Sequence, residues 1–276
     1  MPELPEVEAI ARTLRLFVEG RTIERCQVIH PIAAAGMSGK GKQVAAAKLE
    51  KNLGGRKVER VERRGKFLIL ALDRGSAVMH FKFDGQLVWF DGKETGGHID
   101  VALETAHGTL GFVDPRHLGR VQWVASLDEI PGLRTMGVEP LAEEFTAERL
   151  AEALAGSRKA VKVCLLDQAK IAGVGNIYSS EALWRARIDP RRPAHRLSET
   201  ETNRLRRGIV DVLRNALKCC LHPAPNFRDA NWWFQGLERI LRVYGREEKK
   251  CQRCGHRVAR MQLGGRGTYW CPGCQK

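Results

Sequence analysis

Two closely spaced cysteine pairs near the C-terminus constrain the fold of this chain more than any other feature. Cys251 and Cys254 form one pair, Cys271 and Cys274 form the other, and sixteen residues separate the two pairs. Four thiolates with this spacing can close a tetrahedron around one Zn²⁺ ion. A redox-active pair would not need a second pair on the far side of a hairpin-like GGRGTYW segment. The sequence therefore predicts one structural zinc ion, held by these four cysteines beside two strands.

The charge of the chain indicates the kind of partner that it binds. Lys and Arg number 46 against 32 acidic residues, which gives a formal net charge of +14. Half of this excess lies in residues 241–276, which hold nine Lys or Arg and two Glu. Such an excess favours a polyanionic partner. Because no apolar run approaches the ~20 residues of a membrane span and the acidic N-terminus lacks a signal-peptide core, we expect a cytoplasmic protein with no membrane partner.

The hydrophobic pattern divides the chain into a β-rich part and a helical part. Residues 5–19 carry apolar side chains at helical spacing, and residues 21–30 resemble a strand. Seven further short strands are predicted between 56 and 124, which suggests a sandwich or a barrel. Residues 131–140 are typical of a linker. Beyond it the hydrophobic period becomes that of helices, which we predict near 146–155, 158–170, 177–186 and 198–220.

Six motifs, taken in chain order, resemble those of one enzyme family. They are MPELPEVE, RRGKFLIL, DPRHLGR, AGVGNIYSSEAL, VYGRE and the cysteine pairs. Together they resemble the formamidopyrimidine-DNA glycosylases, which share a superfamily with endonuclease VIII. The resemblance spans nearly the whole chain and implies an α+β fold: an N-terminal β-sandwich, a helix-two-turn-helix domain and a C-terminal β-hairpin zinc finger. We place the catalytic domain at 1–132, a linker at 133–140, the helical DNA-binding domain at 141–238 and the zinc finger at 239–276.

The resemblance also implies a reaction on damaged double-stranded DNA. A family member is a bifunctional DNA glycosylase and AP lyase of base excision repair, and we expect a monomer in the bacterial cytosol or nucleoid. Pro2 would be the nucleophile once an aminopeptidase has removed Met1, because its nitrogen is then a free secondary amine. Attack of that amine on C1′ of the damaged nucleotide releases the base and leaves an iminium ion. The fixed charge of this ion drives strand cleavage by β,δ-elimination.

Three more residues are implied in catalysis by the same motifs. Glu3 would be the general acid that protonates the sugar ring oxygen or the leaving base. Glu6 would position the amine, although the helix dipole alone also favours an acidic residue in the first helical turn. Lys66 would contact the phosphate next to the lesion; the alternative is an ordinary lysine at a strand edge.

The resemblance further implies a set of DNA contacts. Lys162 would face the lesion site. Asn176 would begin a helix whose amides, together with Gly173 and Gly175, suit a phosphate group. Arg266, in the hairpin of the zinc finger, would grip the phosphates that flank the flipped nucleotide through its bidentate fork. Three other residues would contact phosphate or merely cap strands, namely His80, His98 and Tyr244.

Three stretches depart from the family pattern. HFKFDG and DPRHLG stand where the family carries a Met, an Arg and a Phe that fill the hole left by the flipped nucleotide. Arg116 is retained, and Phe83 and Leu118 keep apolar wedges at the other two positions, whereas Lys82 replaces the usual glycine. The loop after the long helix reads HPAPNF, where a Gly-Gly-Thr-Thr-like loop is usual. The aromatic residues that follow, at 232–234, either pack in the core or stack on a flipped base.

Several functions remain open on the sequence alone. Oxidised purines, namely 8-oxoguanine and formamidopyrimidines, are the default substrates because MPELPEVE is typical of that branch. An endonuclease VIII-like preference for oxidised pyrimidines, or for another lesion, is the alternative within the class. A damage-binding protein without excision is the alternative from a different class, although it would not need the four catalytic residues. A zinc-ribbon transcription factor would leave the first domain unexplained.

Overall fold

The computed structural model describes residues 2–35, 41–92, 98–222, 226–227 and 236–276. The chain forms two compact units. The first comprises Pro2, residues 6–134 and the described part of 220–235, and the second comprises 3–5, 135–219 and 236–276. Met1, residues 223–225 of the HPAPNF loop and the aromatic residues 232–234 lie outside the described residues.

The first unit contains two antiparallel sheets, which agrees with the predicted N-terminal β-sandwich. The five-stranded sheet has the order β1-β3-β4-β5-β9, and the four-stranded sheet has the order β2-β7-β8-β6. The seven strands expected between 56 and 124 are all present as β3 to β9. The strands are β1 Thr22–Ile23, β2 Arg25–Val28, β3 Arg56–Arg64, β4 Phe67–Leu72, β5 Ser76–His80, β6 Gln86–Phe90, β7 Val101–Thr105, β8 Gly108–Val113 and β9 Arg120–Val124.

The single strand predicted for 21–30 is wrong in one respect, because the chain forms two short strands there. β1 pairs with β3, and β2 pairs with β7, so the segment passes from one sheet to the other. Ile23 and Cys26 are both buried. Residues three apart on one strand point to opposite faces, so placing the two side chains in separate sheets allows both to be buried.

Three helices also belong to this part of the chain. Helix α1 spans Leu4–Val18, as the apolar spacing of 5–19 predicted, and α2 spans Lys42–Leu53. Phe17 of α1 packs against Trp89 of β6, with ring centroids 5.1 Å apart. A short helix α3, Pro131–Arg134, occupies the first part of the stretch predicted to be a linker.

The second unit contains helices and one β-hairpin. Helix α5 is shorter than the predicted 158–170, because it ends before Asp167, and Gln168 then organises a turn instead of continuing the helix. The Gln168 amide donates to the carbonyls of Leu166 and Val174. The elements are α4 Ala147–Leu154, α5 Val161–Leu166, α6 Asn176–Ala186, α7 Glu199–Leu221, α8 Leu237–Ile240, β10 Ala259–Leu263 and β11 Arg266–Trp270. None of the helices among the described residues is long and apolar enough to cross a membrane.

The hairpin lies between the two cysteine pairs, as predicted. Leu263 pairs directly with Arg266, so Gly264 and Gly265 form a two-residue turn. Both glycines have positive φ, +58° and +72°, which is the backbone that tight hairpins require and that other residues rarely adopt. The turn therefore places Arg266 at the first position of β11.

Candidate functional site

The four predicted metal ligands converge in the second unit. Sγ of Cys254 lies 3.4 Å from Sγ of both Cys271 and Cys274, and Sγ of Cys251 lies 3.6 Å from that of Cys274. Zinc–sulfur bonds of about 2.3 Å imply tetrahedral edges of roughly 3.8 Å, so the thiols fit one Zn²⁺ with little adjustment. The indole N–H of Trp184 donates to Cys251 Sγ at 3.4 Å. One structural zinc ion thus suits the chemistry and the geometry of this cluster.

At the turn end of the hairpin, Arg266 faces solvent. Arg266 is exposed, whereas Thr268, two residues along β11, is fully buried. When zinc is bound, it supplies the cross-link that a small hairpin needs in place of a large core. The hairpin thereby holds Arg266 in a fixed position where an anionic ligand can bind it.

Glu3 is held by the N-terminus of helix α6 in the second unit. Its side chain is 1% exposed. Its carboxylate accepts main-chain N–H bonds from Gly175 at 2.8 Å, Ile177 at 2.9 Å and Tyr178 at 3.4 Å. We expected these amides to face a phosphate group; instead they bind the Glu3 carboxylate, which satisfies the donors left open at a helix start.

Gly173 makes this arrangement possible. Its φ is +76°, and a Cβ atom there would lie 2.6 Å from Cβ of Leu4. The main-chain N–H of Leu4 donates to the Gly173 carbonyl at 3.1 Å. The glycine of the AGVGN motif therefore allows the segment after Glu3 to approach the backbone closely.

Lys162 and Asn176, which the sequence singled out separately, contact each other in the second unit. Lys162 Nζ donates to Asn176 Oδ1 at 2.6 Å and to Thr268 Oγ1 at 2.8 Å. Asn176 Nδ2 donates to the Gly267 carbonyl at 3.0 Å. Lys162 is fully buried, and this burial lowers its pKa to about 8, although the charge of Glu3 opposes the change. The hydrogen bonds of Lys162 and Asn176 therefore connect α5 and α6 to β11, the strand that begins at Arg266.

Tyr244 contacts Asn176, and its position depends on Glu181, a residue that the sequence did not single out. Its side chain hydrogen-bonds with that of Asn176, and burial raises its pKa. Glu181 of α6, 3% exposed, accepts the main-chain N–H bonds of Val243 at 2.9 Å and Tyr244 at 2.8 Å. A carboxylate in the middle of a helix gave no signal of this role. Glu181 nevertheless fixes the VYGRE segment, and with it Tyr244.

The other predicted catalytic residues lie in the first unit. Pro2 is buried, and Glu6, in the first turn of α1, is 1% exposed. Lys66 lies in the tight turn between β3 and β4 and is 9% exposed. Buried charged groups of this kind are uncommon in a purely structural role. Their burial is consistent with a reactive site.

An ion-pair network supports the Lys66 turn and was missed by sequence reasoning. Arg63 Nε donates to Glu8 Oε2 at 2.8 Å, and Arg63 Nη1 donates to the Gly65 carbonyl at 3.0 Å. Burial would raise the pKa of Glu8, but its hydrogen bonds to Arg12 and Arg63 and their charges lower it. The final Glu of MPELPEVE thus connects α1 to the turn that carries Lys66.

His80 is placed where it can donate a hydrogen bond without carrying a charge. Its Nδ1 accepts the main-chain N–H of Lys82 at 3.0 Å. Burial, together with the charges of Lys82 and Lys66, lowers the pKa of His80 to about 3. The neutral ring then carries its proton on Nε2. His98, by contrast, is exposed.

The residues predicted to fill the DNA void lie on two neighbouring loops of the first unit. The Arg116 guanidinium lies 5.2 Å from the centre of the Phe83 ring and pairs with Asp84. Phe83 is 38% exposed and Leu118 is 40% exposed, which is a high exposure for large apolar side chains. Asp114 accepts the main-chain N–H of Arg116 at 3.0 Å and that of Leu118 at 2.8 Å. The DPRHLG loop is therefore ordered by its first residue.

Comparison with known proteins covers the whole chain. Models of the formamidopyrimidine-DNA glycosylase N-terminal domain, of the formamidopyrimidine-DNA glycosylase H2TH domain and of the zinc finger found in FPG and IleRS match residues 1–121, 136–221 and 248–276. The formamidopyrimidine-DNA glycosylase of Pelotomaculum thermopropionicum is 38% identical over 100% of this chain and 99% of its own length. That of Thermus thermophilus is 40% identical over 100% of this chain and 98% of its own length.

Solved structures agree with these sequence comparisons. The wild-type Lactococcus lactis Fpg in complex with DNA that contains an oxidized pyrimidine matches with a TM-score of 0.87 and 30% identity over all of both chains. The same enzyme with DNA that contains an abasic site matches with a TM-score of 0.87 and 29% identity over 99% of both chains. The chain described here belongs to the formamidopyrimidine-DNA glycosylase family.

Proposed function

We propose that this DNA glycosylase excises an oxidised base from duplex DNA and then cleaves the strand, with Pro2 as the nucleophile. The observation that carries the proposal is the position of Glu3. Its carboxylate immediately follows Pro2 and is held by three main-chain donors at the start of α6. Backbone donors are rigid, so the carboxylate is placed before substrate binds, as electrostatic catalysis requires.

The chemistry requires a free amine at residue 2. A chain-terminal amine has a pKa of ~7.7–8.0, so a useful fraction is neutral near physiological pH. The neutral nitrogen of Pro2 attacks C1′, the bond to the base breaks, and the base leaves with the bonding electrons and takes up a proton. The attached amine then loses its N–H proton, and the C1′–O4′ bond breaks with proton transfer to O4′, which gives an iminium ion between Pro2 and the opened sugar. The resulting iminium ion has no N–H proton to lose. It therefore withdraws electrons from the sugar, and loss of the C2′ proton expels the 3′ phosphate.

We assign to Glu3 the role of general acid, which protonates the sugar ring oxygen or the leaving base. Glu6 positions the amine, and Lys66 binds the phosphate beside the lesion.

The family resemblance supports the DNA-binding roles that we propose for residues of each unit. Arg266 binds backbone phosphate from the zinc-supported hairpin, and Lys162 with Asn176 lines the lesion side of the helical domain. Arg116, Phe83 and Leu118 occupy the void left by the flipped nucleotide. His80, His98 and Tyr244 are proposed as further phosphate contacts.

Oxidised purines are the substrates we propose first, and oxidised pyrimidines are the second candidate. The second candidate is favoured by one observation, since the Lactococcus lactis relative was solved with DNA that contains an oxidized pyrimidine. Phe83, Leu118 and the HPAPNF loop depart from the usual family residues. We propose that these positions determine which oxidised base the enzyme prefers.

Covalent trapping with borohydride tests the chemistry and the substrate class together. Duplexes that carry 8-oxoguanine, a formamidopyrimidine, dihydrothymine or an abasic site are each incubated with protein from which Met1 has been removed, with intact mass as the check. The same chain with Met1 retained is the matched control, because its Pro2 nitrogen is an amide. We expect adducts only with the processed protein, and peptide mapping should place them on Pro2.

The other outcomes are decisive as well. An adduct on Lys66, or an equal yield from the protein that retains Met1, would overturn Pro2 as the nucleophile. Trapping on the abasic duplex alone would refute the proposed base lesions while keeping the nucleophile. Binding to damaged duplexes without any adduct would favour a damage-binding protein without excision.

A further inference from the structure

Three metal-ligating side chains converge in the first unit, outside the residues assigned to catalysis. His30 lies two residues after β2, Asp100 directly precedes β7, and His117 lies in the loop between β8 and β9. One possible ligand atom from each lies within 4.8 Å of the other two. Within the described part of the chain, the only other such group is the four-cysteine cluster. The three residues are far apart in the sequence, so no local motif predicted that they would form a group.

Asp100 holds the group together through both its backbone and its side chain. Its carbonyl accepts the main-chain N–H of His30 at 3.1 Å. Its Oδ1 lies 2.6 Å from His117 Nδ1, and its Oδ2 accepts the main-chain N–H of Asp114 at 2.8 Å. The Asp100 side chain is 2% exposed, whereas that of His117 is 39% exposed. The cluster therefore has a buried, fixed carboxylate at its base and imidazoles that solvent and ions can reach.

The two histidines are oriented toward each other. Their ring centroids are 4.8 Å apart, with an angle of 52° between the ring planes. His30 begins the 3₁₀ turn Pro31–Ala33, but its side chain makes no capping hydrogen bond there. His117 adopts a φ of +52°, a left-handed conformation that is unfavourable for residues other than glycine. The local fold thus keeps His117 beside Asp100 despite an unfavourable backbone.

We propose that His30, Asp100 and His117 bind a first-row divalent cation, with Zn²⁺ as the best match. Two imidazole nitrogens and one carboxylate oxygen are a common donor set for zinc, and they leave a fourth position for water. In a tetrahedral site, ligand atoms at about 2.0–2.2 Å from one ion lie about 3.3–3.6 Å apart. Metal binding therefore draws the most distant ligand atoms together by up to about 1.5 Å and moves His117 Nδ1 and Asp100 Oδ1, now 2.6 Å apart, away from each other. The ion takes the place of the proton between His117 Nδ1 and Asp100 Oδ1, and the imidazole stays neutral with its N–H on Nε2.

The position of the site links it to the DNA-binding loop. His117 lies between Arg116 and Leu118, and both carry DNA-void roles in the proposed function, on which this step depends. A bound ion adds a cross-link from this loop to the segments before β7 and after β2. Because ordering a loop in advance reduces the entropic cost of binding, the loaded site strengthens binding to duplexes that contain a flipped or missing base.

Metal stoichiometry tests the site without reference to DNA. Protein with an intact zinc finger is dialysed against micromolar Zn²⁺, and bound zinc per chain is measured by elemental mass spectrometry. We expect two ions for the wild type and one for His30→Gln and for His117→Gln. His107→Gln is the matched control, because His107 is exposed in the turn between β7 and β8 of the same unit, and it should bind two.

Each alternative result contradicts a stated part of the proposal. One ion in the wild type, or two in both histidine variants, would overturn the site and leave an Asp–His ion pair with a purely structural role. His30 lies outside the DPRHLG loop, so His30→Gln remains informative if His117→Gln fails to fold. Co²⁺ added to protein that holds zinc only at the four cysteines should give weak visible bands without thiolate charge transfer; thiolate bands would instead mean exchange at the cysteines.

The effect on DNA is measured separately, so that failure of the proposed function can be recognised. Affinity for a duplex with a stable abasic analogue is compared with and without the second Zn²⁺ equivalent. We expect the second Zn²⁺ equivalent to increase the DNA affinity of the wild type by about tenfold, a factor like the smaller effects that supporting residues have on metal sites. We expect no increase in His30→Gln. Two bound ions with unchanged affinity would refute the loop effect, and absence of DNA binding in every sample would refute the proposed function instead.

Discussion

Glu3 Oε2 accepts the main-chain N–H of Gly175 at 2.8 Å, although 172 positions separate the two residues. This bond fixes the carboxylate that follows Pro2 to the first residue before helix α6. The helix start therefore serves as an internal anion site, and its anion is a side chain of the protein. A phosphate group from DNA would have to bind elsewhere, and the exposed Arg266 is the residue that we assign to it.

Glu3→Gln tests this anchor. The glutamine amide keeps the shape but removes the charge and turns two donors toward main-chain N–H groups. We expect the excision rate to fall by roughly 10²–10⁴-fold and the free energy of unfolding by about 1–3 kcal/mol. Single-turnover cleavage and urea unfolding measure the two effects. Glu143→Gln, an exposed position in the same unit, should change neither; an unchanged excision rate in Glu3→Gln would contradict the assigned role.

Lys162 predicts a stability that rises with pH. Burial lowers its pKa from 10.5 to about 8, so between these values the unfolded chain binds more protons than the folded chain. Stability therefore increases as the pH rises through this interval, by up to about 3 kcal/mol. Lys162→Met removes the titrating group, and subtracting its unfolding free energy from that of the wild type isolates the effect. A difference that stays constant from about pH 7 to 10 would refute a buried, neutralising lysine.

The Glu8–Arg63 pair also predicts a stability that rises with pH, but in the acid range. The lowered pKa of Glu8 means that its contribution is complete above the unfolded value of ~4.3 and is lost as the pH falls through the folded value. Glu8→Gln should therefore be less stable than the wild type at neutral pH, and the two should converge in acid. The Lys66 turn should also loosen, so we expect slower strand cleavage in Glu8→Gln and in Arg63→Met. Arg60→Met, on the exposed side of β3, is the control for both measurements.

Zinc removal should separate the hairpin from the rest of the fold. A chelator, or Cys271→Ser, removes the cross-link on which the hairpin between β10 and β11 depends. We expect loss of DNA affinity together with loss of the hairpin signals in amide exchange, while the sheets of the first unit stay protected. Cys219→Ala, outside the cluster, should keep both. Full DNA affinity in the metal-free protein would contradict the role given to Arg266.

The sequence predicted the parts of this structure whose signals are local. The seven strands between 56 and 124, helix α1 and the four-cysteine cluster each follow from spacing within one segment. The failures have a common physical cause. The exchange of sheets between β1 and β2, and the use of the α6 amides by Glu3, depend on partners that are distant in the sequence. Glu181 and Asp100 were missed for the same reason, since a buried carboxylate has no signature apart from the donors that the fold brings to it.

Phe83 and Leu118 provide the last prediction, which separates DNA binding from stability. Both side chains are more than a third exposed, so truncation should lower the free energy of unfolding by about 1 kcal/mol, which is less than a truncation in the core costs. If they fill the space of a flipped nucleotide, Phe83→Ala and Leu118→Ala lose the apolar contact that offsets the unstacking of the base pairs. We expect about a tenfold weaker affinity for a duplex with an abasic analogue, and little change for an undamaged duplex. Leu16→Ala, at the 78% exposed Leu16 of α1, is the matched control. Equal losses on damaged and undamaged duplexes would show that the two residues contact DNA without filling the void.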